Sequence, residues 1–144
     1  MDFTLRDQDG TQVSRSDFNG KRLIVFFYPA AMTPGCTAEA CDFRDRYADL
    51  QEAGYELVGV SPDSPERNAR FREKEDLNFP LLSDPNHEVA EAFGAWGTKM
   101  LYGKESVGLI RSTFVLGANG ELEKEYRNVK AKGHVARVTA DLLG

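Results

Sequence analysis

Short apolar strands alternate with amphipathic helices along this chain, and a β-hairpin and one last helix close it. That order predicts an α/β fold, with a mixed central β-sheet flanked by helices on both faces and an N-terminal β-hairpin at its edge. Three observations carry the prediction. The run Leu23 to Tyr28 (LIVFFY) is apolar on both faces, as in a strand at the centre of a sheet. Directly afterwards the period becomes helical, with Ala40, Phe43, Tyr47 and Leu50 recurring every three to four residues. Two later segments, Ser64-Pro65 and Asp84-Pro85, each place a capping residue before a proline, the signature of a helix start.

Taken in order, Phe3 to Leu5 and Gln12 to Ser14 flank Asp9-Gly10 as the edge hairpin, and Ser16-Asp17-Phe18 forms a single turn before Asn19-Gly20. Pro29 ends the central strand, because proline cannot donate to the ladder. A helix runs from Thr33 to about Ala53 and stops at Gly54. Tyr55 to Val60 is a second strand, followed by a charged helix from Ser64 to about Asp76. Phe79 to Leu82 is a short strand, and Asn86 to Phe93 a short helix capped at Asp84. The stretch Gly94 to Gly108 is glycine-rich and reads as irregular. Ser112 to Leu116 and Glu121 to Tyr126 form a hairpin around Ala118-Asn119-Gly120. The last helix spans His134 to Leu143, with Val135, Val138 and Leu142 on one face.

With 144 residues, no repeat and no linker, residues 1–144 read as one domain that buries roughly two-thirds of its unfolded surface. A net charge of −5 disfavours nucleic acid or an acidic membrane as a partner. No apolar run approaches the roughly 18 residues of a membrane span, and the N-terminus lacks the basic and apolar regions of a signal peptide. The expected location is cytoplasmic, where a cysteine pair is more often catalytic than structural. Two cysteines with the distant His87 and His134 make no recognisable zinc pattern, so no metal or other cofactor is expected.

The two cysteines, Cys36 and Cys41, sit five positions apart at the start of one helix. Thr33 is placed as N-cap, Pro34 at N1, Gly35 at N2 and Cys36 at N3, where a capping box usually has Glu or Gln. A thiolate there meets unpaired amides and the positive end of the helix dipole, which favours the anion. Ionisation alone adds little. An ordinary thiol is already a few per cent ionised at neutral pH, so full ionisation gains only about thirtyfold in rate. Efficient chemistry needs groups that stabilise charge in the transition state. Five helical residues separate the two Cα atoms by about 8.6 Å, beyond the roughly 7 Å limit of a disulfide. Bridging therefore requires the first turns of the helix to unwind. Cys36 lies near the apolar stripe and Cys41 well off it.

The pattern Pro29-x-x-x-Thr33-x-x-Cys36 resembles the active-site motif of the peroxiredoxins. The segment FYPAAMTPGCTAEACDFRD, Phe27 to Asp45, is similar to the bacterioferritin comigratory protein or PrxQ branch, of atypical 2-Cys type, and the likeness continues through GVSPDS, FPLLSD, FGAWG and RSTFVLGANG over nearly the whole chain. The resemblance implies a thioredoxin-like fold and a thiol-dependent peroxidase. Cys36 is then the nucleophile that attacks hydrogen peroxide or an organic hydroperoxide and becomes a sulfenic acid. Cys41 is implied to resolve it as an intramolecular disulfide, recycled by thioredoxin or a similar dithiol. Thr33 is implied to hold the peroxide, Pro29 to shape and dry the pocket, and Arg111 to supply the cation near the sulfur. A monomer is the corresponding assembly state. The branch often carries Lys-Asp where this chain has Ala30-Ala31. His87 and His134 are expected at the surface or in packing, and Trp96 in packing or as a pocket wall. A general thiol-disulfide oxidoreductase and a peroxide-sensing redox protein are the competing functions, although the former normally uses Cys-x-x-Cys.

Overall fold

The structure is a computed structural model that describes residues 2–144, the side chain of Leu101 excepted. Its centre is β3 (Arg22–Phe27), which pairs in parallel with β4 (Tyr55–Ser61) and antiparallel with β8 (Ser112–Leu116). Because β3 is apolar at every position after Arg22, it feeds two cores. Ile24, Phe26 and Tyr28 face one cluster, and Leu23, Val25 and Phe27 the other. The first cluster is completed by α1 (Pro34–Glu52), α4 (His134–Leu143) and Phe71 of α2 (Pro65–Lys74). The second takes Ala90 and Phe93 of α3 (Glu88–Phe93), with Phe114 and the flank of Trp96.

From edge to edge the main sheet runs β2 (Gln12–Ser14), β1 (Thr4–Arg6), β5 (Leu81–Ser83), β4, β3, β8 and β9 (Leu122–Tyr126). The N-terminal hairpin of β1 and β2 joins through the Arg6–Ser83 pair. Its turn is closed by Asp7, whose Oδ1 accepts the amides of Asp9 and Thr11. A mixed sheet with helices on both faces is thus observed.

Three segments differ from the sequence expectation. Gly94 to Gly108 is not irregular. It holds β6 (Trp96–Leu101) and β7 (Lys104–Leu109), a separate antiparallel ribbon paired from Trp96–Leu109 to Leu101–Lys104. Its turn is Tyr102-Gly103, both at positive φ, and its exposed outer face removes the apolar alternation that marks a strand. The short helix α3 begins at Glu88 rather than Asn86. Asp84 caps it from a distance, Oδ1 and Oδ2 accepting the amides of Val89 and Ala90, while His87 occupies the N-cap position. The short strand is displaced to Leu81–Ser83; Phe79 precedes it with its ring wholly buried. The helix after Ser64 ends at Lys74, and Ser64 caps it as expected, its Oγ accepting the amide of Arg67 at 3.2 Å.

Candidate active site

The register of β3 against β8 builds the site. Phe27 pairs with Ser112, so Arg111 emerges beside the end of β3, from which the chain passes through Tyr28 and Pro29 into α1. A helix forms from Pro34 because Thr33 is extended (φ −96°, ψ 155°) and proline tolerates the first helical position. Cys36 is therefore at N3, 1% exposed, with its ring of neighbours drawn from the first core cluster.

Arg111 meets it there. Arg111 Nη2 donates to Cys36 Sγ at 3.3 Å, and Nη1 donates to Glu39 Oε1 at 2.5 Å. Glu39 lies one helical turn after Cys36, wholly buried, so that the guanidinium is held in a fixed orientation between a carboxylate and a sulfur. Gly35 makes room for it, since a Cβ at that position would stand 3.3 Å from Arg111 Nη2. Burial pushes the Glu39 carboxyl up to about 7 against the pull of Arg111, and Glu39 Oε2 has no hydrogen-bond partner among the described residues. His134 Nε2 is 3.9 Å from that oxygen but shares its hydrogen bond with Thr113 Oγ1 at 2.7 Å. Burial, then the charges of Arg111 and Arg137, push His134 down to about 4, so the buried ring is neutral at pH 7.

Thr33 holds the N-cap position as expected, but its hydroxyl does not cap. Thr33 Oγ1 donates to the carbonyl of Ala30 at 2.8 Å. Pro29 is half-buried immediately after Tyr28, whose hydroxyl donates to Asn68 Oδ1 at 2.7 Å. Cys41 stands apart. It is half-buried and unpaired with Cys36, and its thiol donates weakly to Glu75 Oε2 at 3.9 Å. Burial, opposed by Arg44 but aided by Glu75, Asp45 and Asp42, raises the Cys41 thiol above its ordinary value. The structure thus brings Cys36 and Arg111 together and leaves Cys41 elsewhere on the intact helix. Among the histidines, His134 is a packing residue against Phe43 and Tyr126, and His87 stacks on Trp96 at 3.8 Å near the surface.

Glu39, Gly35 as a close-approach position and the Tyr28–Asn68 bond went unread in the sequence. For Glu39 the signal was present: residue 39 falls on the stripe of Cys36, Ala40 and Phe43, and a carboxylate on a buried stripe demands a cation. No helix among the described residues is long and apolar enough to cross a membrane.

A buried thiol at a helix mouth, faced by a carboxylate-anchored guanidinium on an α/β sheet, defines a thiol redox enzyme. The model of the AhpC/TSA family matches residues 1–125, and the chain belongs to that family. It is similar to a Mycobacterium tuberculosis protein named as a peroxiredoxin, 56% identical over 140 residues that cover 97% of this chain and 89% of the relative. Peroxiredoxin Bcp of Escherichia coli is 49% identical over 132 residues, covering 92% and 85% of the two chains. Among solved structures, the bacterioferritin comigratory protein of Xanthomonas campestris superposes with a TM-score of 0.91 at 36% identity, covering 98% of this chain and 90% of that one; its published description concerns alkyl peroxide reduction. The fold is thioredoxin-like, and the chain is a thiol peroxidase of the Bcp and PrxQ kind.

Proposed function

We propose that Cys36 is the peroxidatic nucleophile of an atypical 2-Cys cycle acting on hydrogen peroxide and organic hydroperoxides. The Cys36 thiolate attacks the terminal peroxide oxygen, the O–O bond breaks, and the departing alkoxide or hydroxide takes a proton to leave as alcohol or water. Cys36 is left as a sulfenic acid, oxidised by two electrons. Arg111 acts on both partners, because its Nη2 faces the sulfur and positive charge there stabilises the oxyanion that develops as the O–O bond opens. Thr33 lies at the helix mouth three residues before Cys36, where a hydroxyl positions the peroxide, and Pro29 shapes the wall.

In the second half-reaction the first turn of α1 unwinds and the Cys41 thiol attacks the sulfenic sulfur, expelling water and forming the Cys36–Cys41 disulfide. A thioredoxin-like dithiol then reduces it by exchange, becoming the oxidised partner. A monomer suffices, since both sulfurs belong to one chain. One observation carries the proposal: the 3.3 Å contact between Arg111 Nη2 and Cys36 Sγ inside the core.

Rapid mixing of the reduced protein with one equivalent of peroxide, followed by mass analysis of the Cys36 and Cys41 peptides, tests it. The expected sequence is one added oxygen on Cys36, then a loss of water as the two peptides become linked. Cys36→Ser should abolish peroxide consumption; retained turnover removes the assigned nucleophile. Adding thioredoxin with its reductase should restore the reduced masses.

A further inference from the structure

Between Pro29 and Thr33 the chain reads Ala30-Ala31-Met32, with no polar side chain of its own to hold it. Its conformation is nevertheless demanding. Met32 has φ +64°, the left-handed region that a non-glycine residue occupies only when its surroundings impose it. What imposes it comes from the start of α2. Asp63 Oδ2 accepts the Ala31 amide at 2.7 Å, Arg67 Nη2 donates to the Ala31 carbonyl at 3.2 Å, and Arg67 Nε donates to Asp63 Oδ1 at 3.0 Å. The three bonds close a ring around a fully buried residue, and the Asp63 side chain is only 10% exposed.

The neighbouring residue on α2 grips the other end of the same segment. Asn68 Oδ1 accepts from Tyr28, and Asn68 is itself fixed by Ser61 Oγ at 3.3 Å and by its own donation to Ser83 Oγ at 3.2 Å. Asp63 is tied into this network, since its amide donates to Ser61 Oγ. Consecutive residues of one helix thus hold Tyr28 and Ala31, on either side of Pro29. Thr33 is linked to the held segment through its bond to Ala30.

We propose that Asp63 and Arg67 are positioning residues for the peroxidatic step. By fixing Ala31 they fix the left-handed link at Met32, the orientation of Thr33 and the mouth of α1 where Cys36 faces Arg111. The clamp favours the folded, peroxide-ready helix over the unwound state in which Cys36 reaches Cys41. The two half-reactions therefore respond to it in opposite directions. This rests on the cycle proposed above and assigns what governs its conformational step. A shared ion pair with only a structural role would change stability without splitting the two rates.

Stopped-flow mixing with hydrogen peroxide resolves the oxidation of Cys36 from the later closure of the disulfide. In Asp63→Ala, the second-order rate constant for oxidation is expected to fall about tenfold and disulfide closure to accelerate about threefold. Arg67→Lys, which keeps the charge but loses the fork that spans Asp63 and Ala31, should show the same split at smaller size, and Asp63→Glu should recover part of the oxidation rate. Far-UV circular dichroism establishes that each variant is folded; should Asp63→Ala not fold, Arg67→Lys and Arg67→Gln carry the same two readouts. Unchanged rates in the folded variants, or both rates falling together, overturn the inference while leaving the cycle intact. A wild-type protein whose Cys36 gains no oxygen overturns the cycle itself, and the inference with it.

Discussion

The two thiols lie on one helix, five residues apart, in opposite surroundings. Cys36 is sealed into the core with a guanidinium 3.3 Å from its sulfur, while Cys41 is half-buried near Glu75, Asp45 and Asp42, with Arg44 opposing them. Position along the helix accounts for part of the contrast. The N3 site feels the dipole and the open amides, whereas Cys41 is past the first turn, where the dipole has faded. The rest is charge brought in from elsewhere: Arg111 from the edge of β8, Glu75 from the end of α2. The difference teaches that one helix sets its two sulfurs in opposite local charge, a guanidinium against Cys36 and three nearby carboxylates around Cys41. In the proposed cycle, unwinding would carry Cys41 away from those carboxylates as it attacks the sulfenic sulfur.

The largest effect is expected from removing the second thiol. In Cys41→Ser, turnover with a dithiol should be lost, with Cys36 accumulating as sulfenic acid and then as higher oxides in intact-mass spectra, while the first oxidation stays within about twofold of wild type. A comparable slowing of the first step would show that the two environments are not independent. Next is Arg111→Ala, which should lower the oxidation rate constant by about 10²–10³, the usual cost of removing a donor that faces a developing oxyanion. Measured at pH values where the thiol is fully ionised, an unchanged rate constant would reduce Arg111 to an aid to ionisation.

Glu75→Gln should be smaller. A carboxylate about 4 Å from a sulfur is worth on the order of 1 kcal/mol in water, less after screening. Alkylation of Cys41 by iodoacetamide, followed in a Cys36→Ser background, should accelerate by no more than about fivefold. A slower reaction would contradict this account of Cys41.

The smallest effect is on stability against pH. Burial raises Glu39 from an ordinary 4.5 to about 7, so the folded state holds more protons than the unfolded one, and its contribution is lost as pH rises through that window. His134 falls from 6.5 to about 4, so its contribution is lost as pH falls through that interval. Between about pH 4.5 and 6.5 the two oppose each other. Urea unfolding should therefore show little slope from this pair in wild type, whereas in His134→Gln stability should decline from pH 4.5 to 7. A flat profile in that variant would remove the buried carboxyl from the balance.

Much of this was legible in the sequence, for local reasons. Leu23 to Tyr28 reads as an interior strand, and the strand found there is Arg22–Phe27. Thr33-Pro34 marked a helix start, and that start put Cys36 at N3, where it is found. What failed needed tertiary information. The ribbon of β6 and β7 escaped because its outer residues, Thr98, Lys104 and Glu105 among them, give no apolar period. The start of α3 was misplaced because Asp84 caps from five and six residues before Val89 and Ala90, whose amides it accepts. The pairing of Arg111 with Glu39 spans 72 residues and depends on the β3–β8 register. Likewise, nothing local in Asp63 or Arg67 says that both reach Ala31.

Among the described residues the β6–β7 ribbon pairs with no strand of the main sheet, and Arg111 is delivered to the thiol by the five rungs between β3 and β8 rather than by the loop that precedes it. Its tip, with Tyr102 96% exposed, is where the backbone can be interrupted at least expense to the core. A break there would leave two fragments, one bearing the sulfurs and the other the guanidinium. Co-expressed as separate pieces divided at Tyr102-Gly103, they would reassemble the reactive pair only when they dock, so that peroxide consumption reports on fragment complementation.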